Sequence, residues 1–175
     1  MQPLGTPVAF QPFTMPLLRR PEEPIFRAIT TQAEWEALLQ ELALRPGETP
    51  GGRGRSTDDQ PAPTAVPGPR PSRTPAARGL VRGEAPNFRQ EVLFLAMLEQ
   101  ESTYRRVEIT DVRRQGSKVY VQVRLVEEKA APGLPTWASA AVTVLRRALP
   151  QDFSTAVVFV SEEGDVLHTT RLFKR

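Results

Sequence analysis

Nine residues, Lys118-Val-Tyr-Val-Gln-Val-Arg-Leu-Val126, constrain this chain more than any other stretch. Val119, Val121, Val123 and Leu125 fall on one face and Tyr120, Gln122 and Arg124 on the other, the period of two that a half-buried strand requires. Upstream, Val107 and Ile109 share a face, Val112 is out of phase with them, and Gln115-Gly116-Ser117 carries a glycine able to turn the chain back. The pattern predicts a hairpin with a bulge near Thr110-Asp111, where the phase slips. Glu91-Val-Leu-Phe-Leu-Ala-Met-Leu98 is apolar without alternation, as expected of a strand covered on both faces.

The flanking segments supply the rest of a small fold. Val8-Ala-Phe10, Pro16-Leu-Leu18 and Ile25-Phe-Arg-Ala-Ile29 are bounded by prolines, which donate nothing to a ladder, so they read as edge strands or extended arms. Thr31-Gln-Ala-Glu34 is a capping box that starts a helix. Trp35, Leu38, Leu39 and Leu42 then form one apolar stripe, and Arg45-Pro46-Gly47 is its expected end. Near the C-terminus, Val142 and Val144 alternate as in a strand. Thr155–Val160 and Val166–Phe173 flank a glycine-containing turn and predict a second hairpin.

Between these regions the composition changes. From Pro46 to Pro86 lie 9 of the 18 prolines and 7 of the 11 glycines, with almost no large apolar side chain before Leu80. Such a segment buries too little to offset its conformational entropy. The expected organisation is an arm and helix at 1–45 that belong to the core, a disordered Pro/Gly/Arg-rich linker at 46–83, and a β-rich region at 84–175. The fold class is α+β: one N-terminal amphipathic helix packed on a mostly antiparallel β-sheet, with a long insertion.

Composition excludes much chemistry. The absence of cysteine removes disulfides, thiolate metal sites and thiol nucleophiles. The only histidine, His168, lies in the middle of the last expected strand, a poor place for the base of a nucleophilic triad. Glu127-Glu128 and Glu162-Glu163 are adjacent pairs that read as solvated charge, and Gly51-Gly-Arg-Gly54 lacks the strand, helix and lysine of a phosphate loop. The expectation is a non-enzyme that uses no cofactor, metal or small-molecule ligand. No apolar run approaches the ~20 residues of a membrane helix. Met1-Gln-Pro-Leu-Gly-Thr-Pro7 has neither the basic nor the apolar region of a secretory signal. A cytoplasmic protein is expected, or an exported one whose signal is not in this sequence.

Binding is the class that remains. Arg105, Arg106, Arg113, Arg114, Lys118 and Arg124, with Tyr104 and Tyr120, belong to one hairpin. Arginine and tyrosine anchor protein interfaces, and the same surface can stack on and neutralise a nucleic acid. A net charge of only +3, with 23 Lys and Arg against 20 Asp and Glu, ranks nucleic acid second.

The order of Thr31-Gln-Ala-Glu-Trp-Glu-Ala-Leu38, Asn87-Phe-Arg-Gln-Glu-Val-Leu-Phe-Leu95, Val107-Glu-Ile109, Lys118–Val123 and Ala130-Ala-Pro-Gly133 resembles the PrcB-type domain. That family is named for a subunit of a bacterial subtilisin-like protease complex. The resemblance covers most of residues 25–160, with the linker as an insertion. Where the family has a Pro-Thr-Gly-Gly-Tyr loop this chain has Glu101-Ser-Thr-Tyr104, which keeps a tyrosine and a hydroxyl residue and lacks both glycines. The resemblance implies a non-catalytic accessory domain that holds or stabilises a partner protein, here a subtilisin-like protease. It supplies no catalytic residues. The partner-binding residues expected are Tyr104, Arg105, Arg106 and Trp137, the last in the Ala131–Trp137 loop.

Overall fold

The structure, a computed structural model, describes residues 5–16, 18–43, 85–99, 102–104, 106–127, 139–152 and 154–173. Among them the chain runs β1 (Thr6–Pro7), β2 (Phe10–Phe13), β3 (Ile25–Ile29), α1 (Gln32–Glu41), β4 (Glu91–Met97), β5 (Arg106–Gln115), β6 (Lys118–Val126), β7 (Ser139–Leu145), β8 (Ser154–Ser161) and β9 (Val166–Phe173). The strands form two sheets rather than one, in the orders β1-β5-β6-β8-β9 and β2-β7-β4-β3. Every pairing is antiparallel except β6 with β8. That parallel pair follows from the chain crossing to the other sheet as β7 before it returns. The 46–83 insertion lies outside the described residues.

One strand explains the layering. Because successive side chains of a strand point to opposite faces, β4 divides its apolar residues between two cores. Val92, Phe94 and Ala96 face the other sheet and pack with Val107, Val112, Val119, Val121, Val123, Val157 and Phe159. Leu93, Leu95 and Met97 face α1 and pack with Trp35, Leu38 and Leu42. The unalternating run at Glu91–Leu98 is therefore a strand covered by a sheet on one side and a helix on the other.

The hairpin β5–β6 forms as its sequence predicts. Val112 pairs with Val121 and Ile109 with Val123, and the register shifts between Ile109 and Asp111. The extra residue returns both apolar side chains to the same face, which an unbroken strand cannot do across three positions. Gly116 closes the turn at φ 56°, and Gly164 serves the β8–β9 hairpin at φ 95°. Of the proline-bounded segments, Ile25–Ile29 is the edge strand β3 and Phe10 opens the edge strand β2, whereas Val8, Ala9, Pro16 and Leu18 lie outside any strand.

The helix begins at the predicted cap. Thr31 accepts from the Glu34 backbone N–H at 3.2 Å, and the Glu34 carboxylate accepts from the Thr31 N–H at 3.2 Å and the Thr30 N–H at 2.7 Å. It ends at Glu41, short of Arg45-Pro46-Gly47. The reason is a partner from the N-terminal arm: the Arg19 N–H donates to the Leu42 carbonyl at 2.8 Å and its guanidinium to the Glu41 carbonyl at 3.4 Å. Carbonyls that a further helical turn would have used are satisfied from outside.

Trp35 anchors the helix on its sheet, only 1% exposed and edge-on to Phe13 at 5.7 Å. Replacing Trp35 by alanine is expected to cost ~3–5 kcal/mol in chemical denaturation, the range for emptying a buried aromatic site. Thr31→Ala, which removes only the cap, is expected to cost about 1 kcal/mol.

Candidate functional site: a groove along a free strand edge

β3 has a partner on one side only. Its five residues pair with Leu93–Met97 of β4, and no other described strand lies on its far side. In an antiparallel strand alternate residues turn their N–H and C=O groups to opposite neighbours, so part of the β3 backbone is offered outward.

That edge forms the floor of an open groove of about 910 Å3. All five residues of β3, Ile25 to Ile29, line it, which is possible only where both faces of a strand are reached from its edge. Glu34, Ala37 and Glu41 of α1 make one wall and His168, Thr170 and Arg171 of β9 make the other, with the Arg19–Pro24 turn at one end. The helix side presents a fixed ion pair: Arg27 and Glu41 meet at 2.9 Å, and a second guanidinium nitrogen of Arg27 reaches the same carboxylate at 3.3 Å. On the β9 side, the His168 ring stacks on Phe26 with centroids 6.3 Å apart and planes 22° apart. Phe26 in turn leans on buried Phe159 at 5.5 Å, so this wall is held by the inter-sheet core.

Chemically the groove offers backbone donors and acceptors, an aromatic pair and charges of both signs. Such a set recognises an extended polypeptide better than an anion or a metal. No three His, Cys, Asp or Glu side chains among the described residues are grouped to hold a metal ion.

Of the residues expected to bind a partner, Tyr104 and Arg106 are described; Arg105 and Trp137 lie outside the described residues. The two described residues belong to different environments. Tyr104 is half-buried against the inter-sheet core, where with Val123, Leu125 and Leu167 it lines a pocket of about 520 Å3 edged by Glu127, Glu162, Glu163 and Asp165. Arg106 stands on the outward face of its sheet, paired with Glu108. On that face Arg124 also bridges to Glu162 at 2.7 Å and approaches Glu108 at 3.7 Å, and Arg113 meets Asp111 at 2.6 Å. Much of the hairpin's positive charge is thus matched by carboxylates of the same sheet.

The groove itself was missed by the sequence reading. The edge character of Ile25–Ile29 is legible in its flanking prolines, but the walls come from residues around 34–42 and 168–171, and no local pattern ties these to one another. His168, set aside as a strand histidine, turns out to line the groove.

Alanine substitutions should separate the two described hairpin residues. Tyr104→Ala is expected to lower stability by ~1–2 kcal/mol through lost core packing, a partial version of emptying a fully buried aromatic site. Arg106→Ala is expected to change it by less than ~0.5 kcal/mol, as for an exposed ion pair. Thermal or urea unfolding measures both. Comparison with protein-family models, with curated proteins and with solved structures returns no match to this chain, so its own geometry carries the functional reading.

Proposed function

We propose that this protein is a non-catalytic interaction module that captures an extended segment of a partner protein by strand addition along β3. The observation that carries this reading is the free edge of β3 lying as the floor of a groove, walled by α1 and β9. An added strand satisfies the outward backbone groups by main-chain hydrogen bonds, which supply affinity, while its alternate side chains meet the two walls, which supply selectivity. One wall offers the Arg27–Glu41 pair and Ala37, and the other the His168–Phe26 stack and Arg171.

The resemblance to the PrcB-type domain supports the same class of role and adds a candidate partner, a subtilisin-like protease. In that reading the module is an accessory subunit that holds or stabilises the protease complex. The ion-paired outward face of the hairpin weighs against nucleic acid as the principal ligand, since Arg106, Arg113 and Arg124 already face Glu108, Asp111 and Glu162.

The test uses the exposed Ala37. Ala37→Trp fills the groove from the helix side at a position where bulk costs the fold at most ~0.7 kcal/mol of helix propensity. Capture of a subtilisin-like protease from the native host is expected to fall about tenfold or more, corresponding to ~1.4 kcal/mol. Backbone amides of β3 are expected to gain hydrogen-exchange protection when the wild-type chain is bound. Capture that survives Ala37→Trp without protection at β3 would remove the groove as the site. Material lost on nuclease treatment, with affinity falling steeply as salt rises, would instead support nucleic acid.

A further inference from the structure

The second sheet also ends in an unguarded strand. β9 pairs with β8 and with no other described strand, and it spans eight residues, Val-Leu-His-Thr-Thr-Arg-Leu-Phe, without proline, lysine or an acidic group. Edges of this length are normally protected by such residues. Two of its side chains are the most exposed large hydrophobic groups among the described residues: Val166 at 64% and Phe173 at 57%. Both lie on the outward face, since Val166 pairs with Val160 and Phe173 with Ser154, while the intervening Thr155, Val157 and Phe159 turn inward.

We propose that β9 pairs antiparallel with β9 of a second copy of this chain, about a two-fold axis through Thr170. Directly opposed residues of an antiparallel pair share a face, so a symmetric pairing must place a residue, not a peptide bond, opposite its own copy. With Thr170 on the axis, Thr169 opposes Arg171 and His168 opposes Leu172. The next step depends on the irregularity of β9, where Phe159 pairs with His168 but Val160 pairs with Val166, leaving Leu167 as the extra residue. Skipping Leu167 brings Val166 opposite Phe173, so the two exposed apolar side chains cover each other at both ends of the joined ladder.

A bulge ordinarily discourages edge pairing. Here it is what sets the apolar ends in register. An axis through Arg171 would oppose two like charges, and axes through Thr169 or His168 would leave Phe173 without an apolar counterpart. Only the axis at Thr170 overlaps the full strand, with Arg171 meeting a threonine. The joined sheet would run through ten strands, and its seam at His168, Thr170 and Arg171 lies on the β9 wall of the β3 groove, so self-pairing and partner capture would compete for that space.

The test exploits a chain that has no cysteine. Light scattering of the full chain is expected to give about twice its 19.5 kDa mass. V166E/F173E sets acid against acid and is expected to return the monomer. V166E/F173K sets acid against base in the same register and is expected to restore the dimer, now weakened by salt. Neither residue lines the β3 groove, so these variants leave that site intact. Thr170→Cys, which meets its own copy at the ~4.5–5.5 Å of opposed Cα atoms, is expected to form a disulfide-linked dimer under mild oxidation. Thr169→Cys, opposed by Arg171, is expected to link far less. A wild-type chain that stays monomeric into the millimolar range would overturn the proposal. So would a dimer that V166E/F173E leaves unchanged, or one in which Thr169→Cys links as well as Thr170→Cys.

Discussion

Burial of β4 on both faces is the constraint on which the rest of the molecule depends. Its alternate side chains belong to separate cores, so a single seven-residue strand joins the helix layer to the β5–β6 hairpin layer. Phe94 meets Phe159 edge-on at 6.5 Å on one side, while Leu93 and Leu95 lie under Trp35 and Leu38 on the other. Neither layer buries its apolar face without this strand. The stability of each core is thereby coupled to the other, and emptying either is expected to be felt through the shared backbone.

Arg146 closes the construction at one end. Directly after β7, its N–H donates to the Gln90 carbonyl at 2.8 Å, its Nε donates to the Phe88 carbonyl at 2.9 Å, and its Nη2 donates to the Thr30 carbonyl. One side chain therefore ties the end of β3 and the approach to α1 to the turn that starts β4. Charge-assisted bonds to backbone carbonyls hold such junctions well, because each carbonyl would otherwise be left without a partner in a half-buried place. The β3 edge is thus held at its far end by a fixed anchor.

Both functional readings grow from the same topological fact. A two-layer sandwich leaves edges wherever its sheets are not closed, and here β3 and β9 end the two sheets on the same flank. The two edges differ in chemistry. β3 is set in a groove with charged and aromatic walls, suited to a selected partner segment, whereas β9 carries its apolar groups at its ends, suited to a symmetric match.

Local pattern in the sequence determined the elements. Lys118–Val126 is a strand over the very residues its alternation marks, the slip between Ile109 and Val112 is a bulge, Thr31 caps the helix, and Ile25–Ile29 is an edge strand. Each of these rests on side-chain spacing or backbone chemistry within a few residues. Tertiary structure alone decided the rest: the division into two sheets, the early end of α1 at Glu41, and the meeting of β3, α1 and β9 around one groove. The helix stops because Arg19, some twenty residues upstream, reaches its last carbonyls, and the groove exists because Ala37 and His168 face each other across β3. Periodicity records which face of an element is buried; it carries no record of which distant element buries it or which edge is left open.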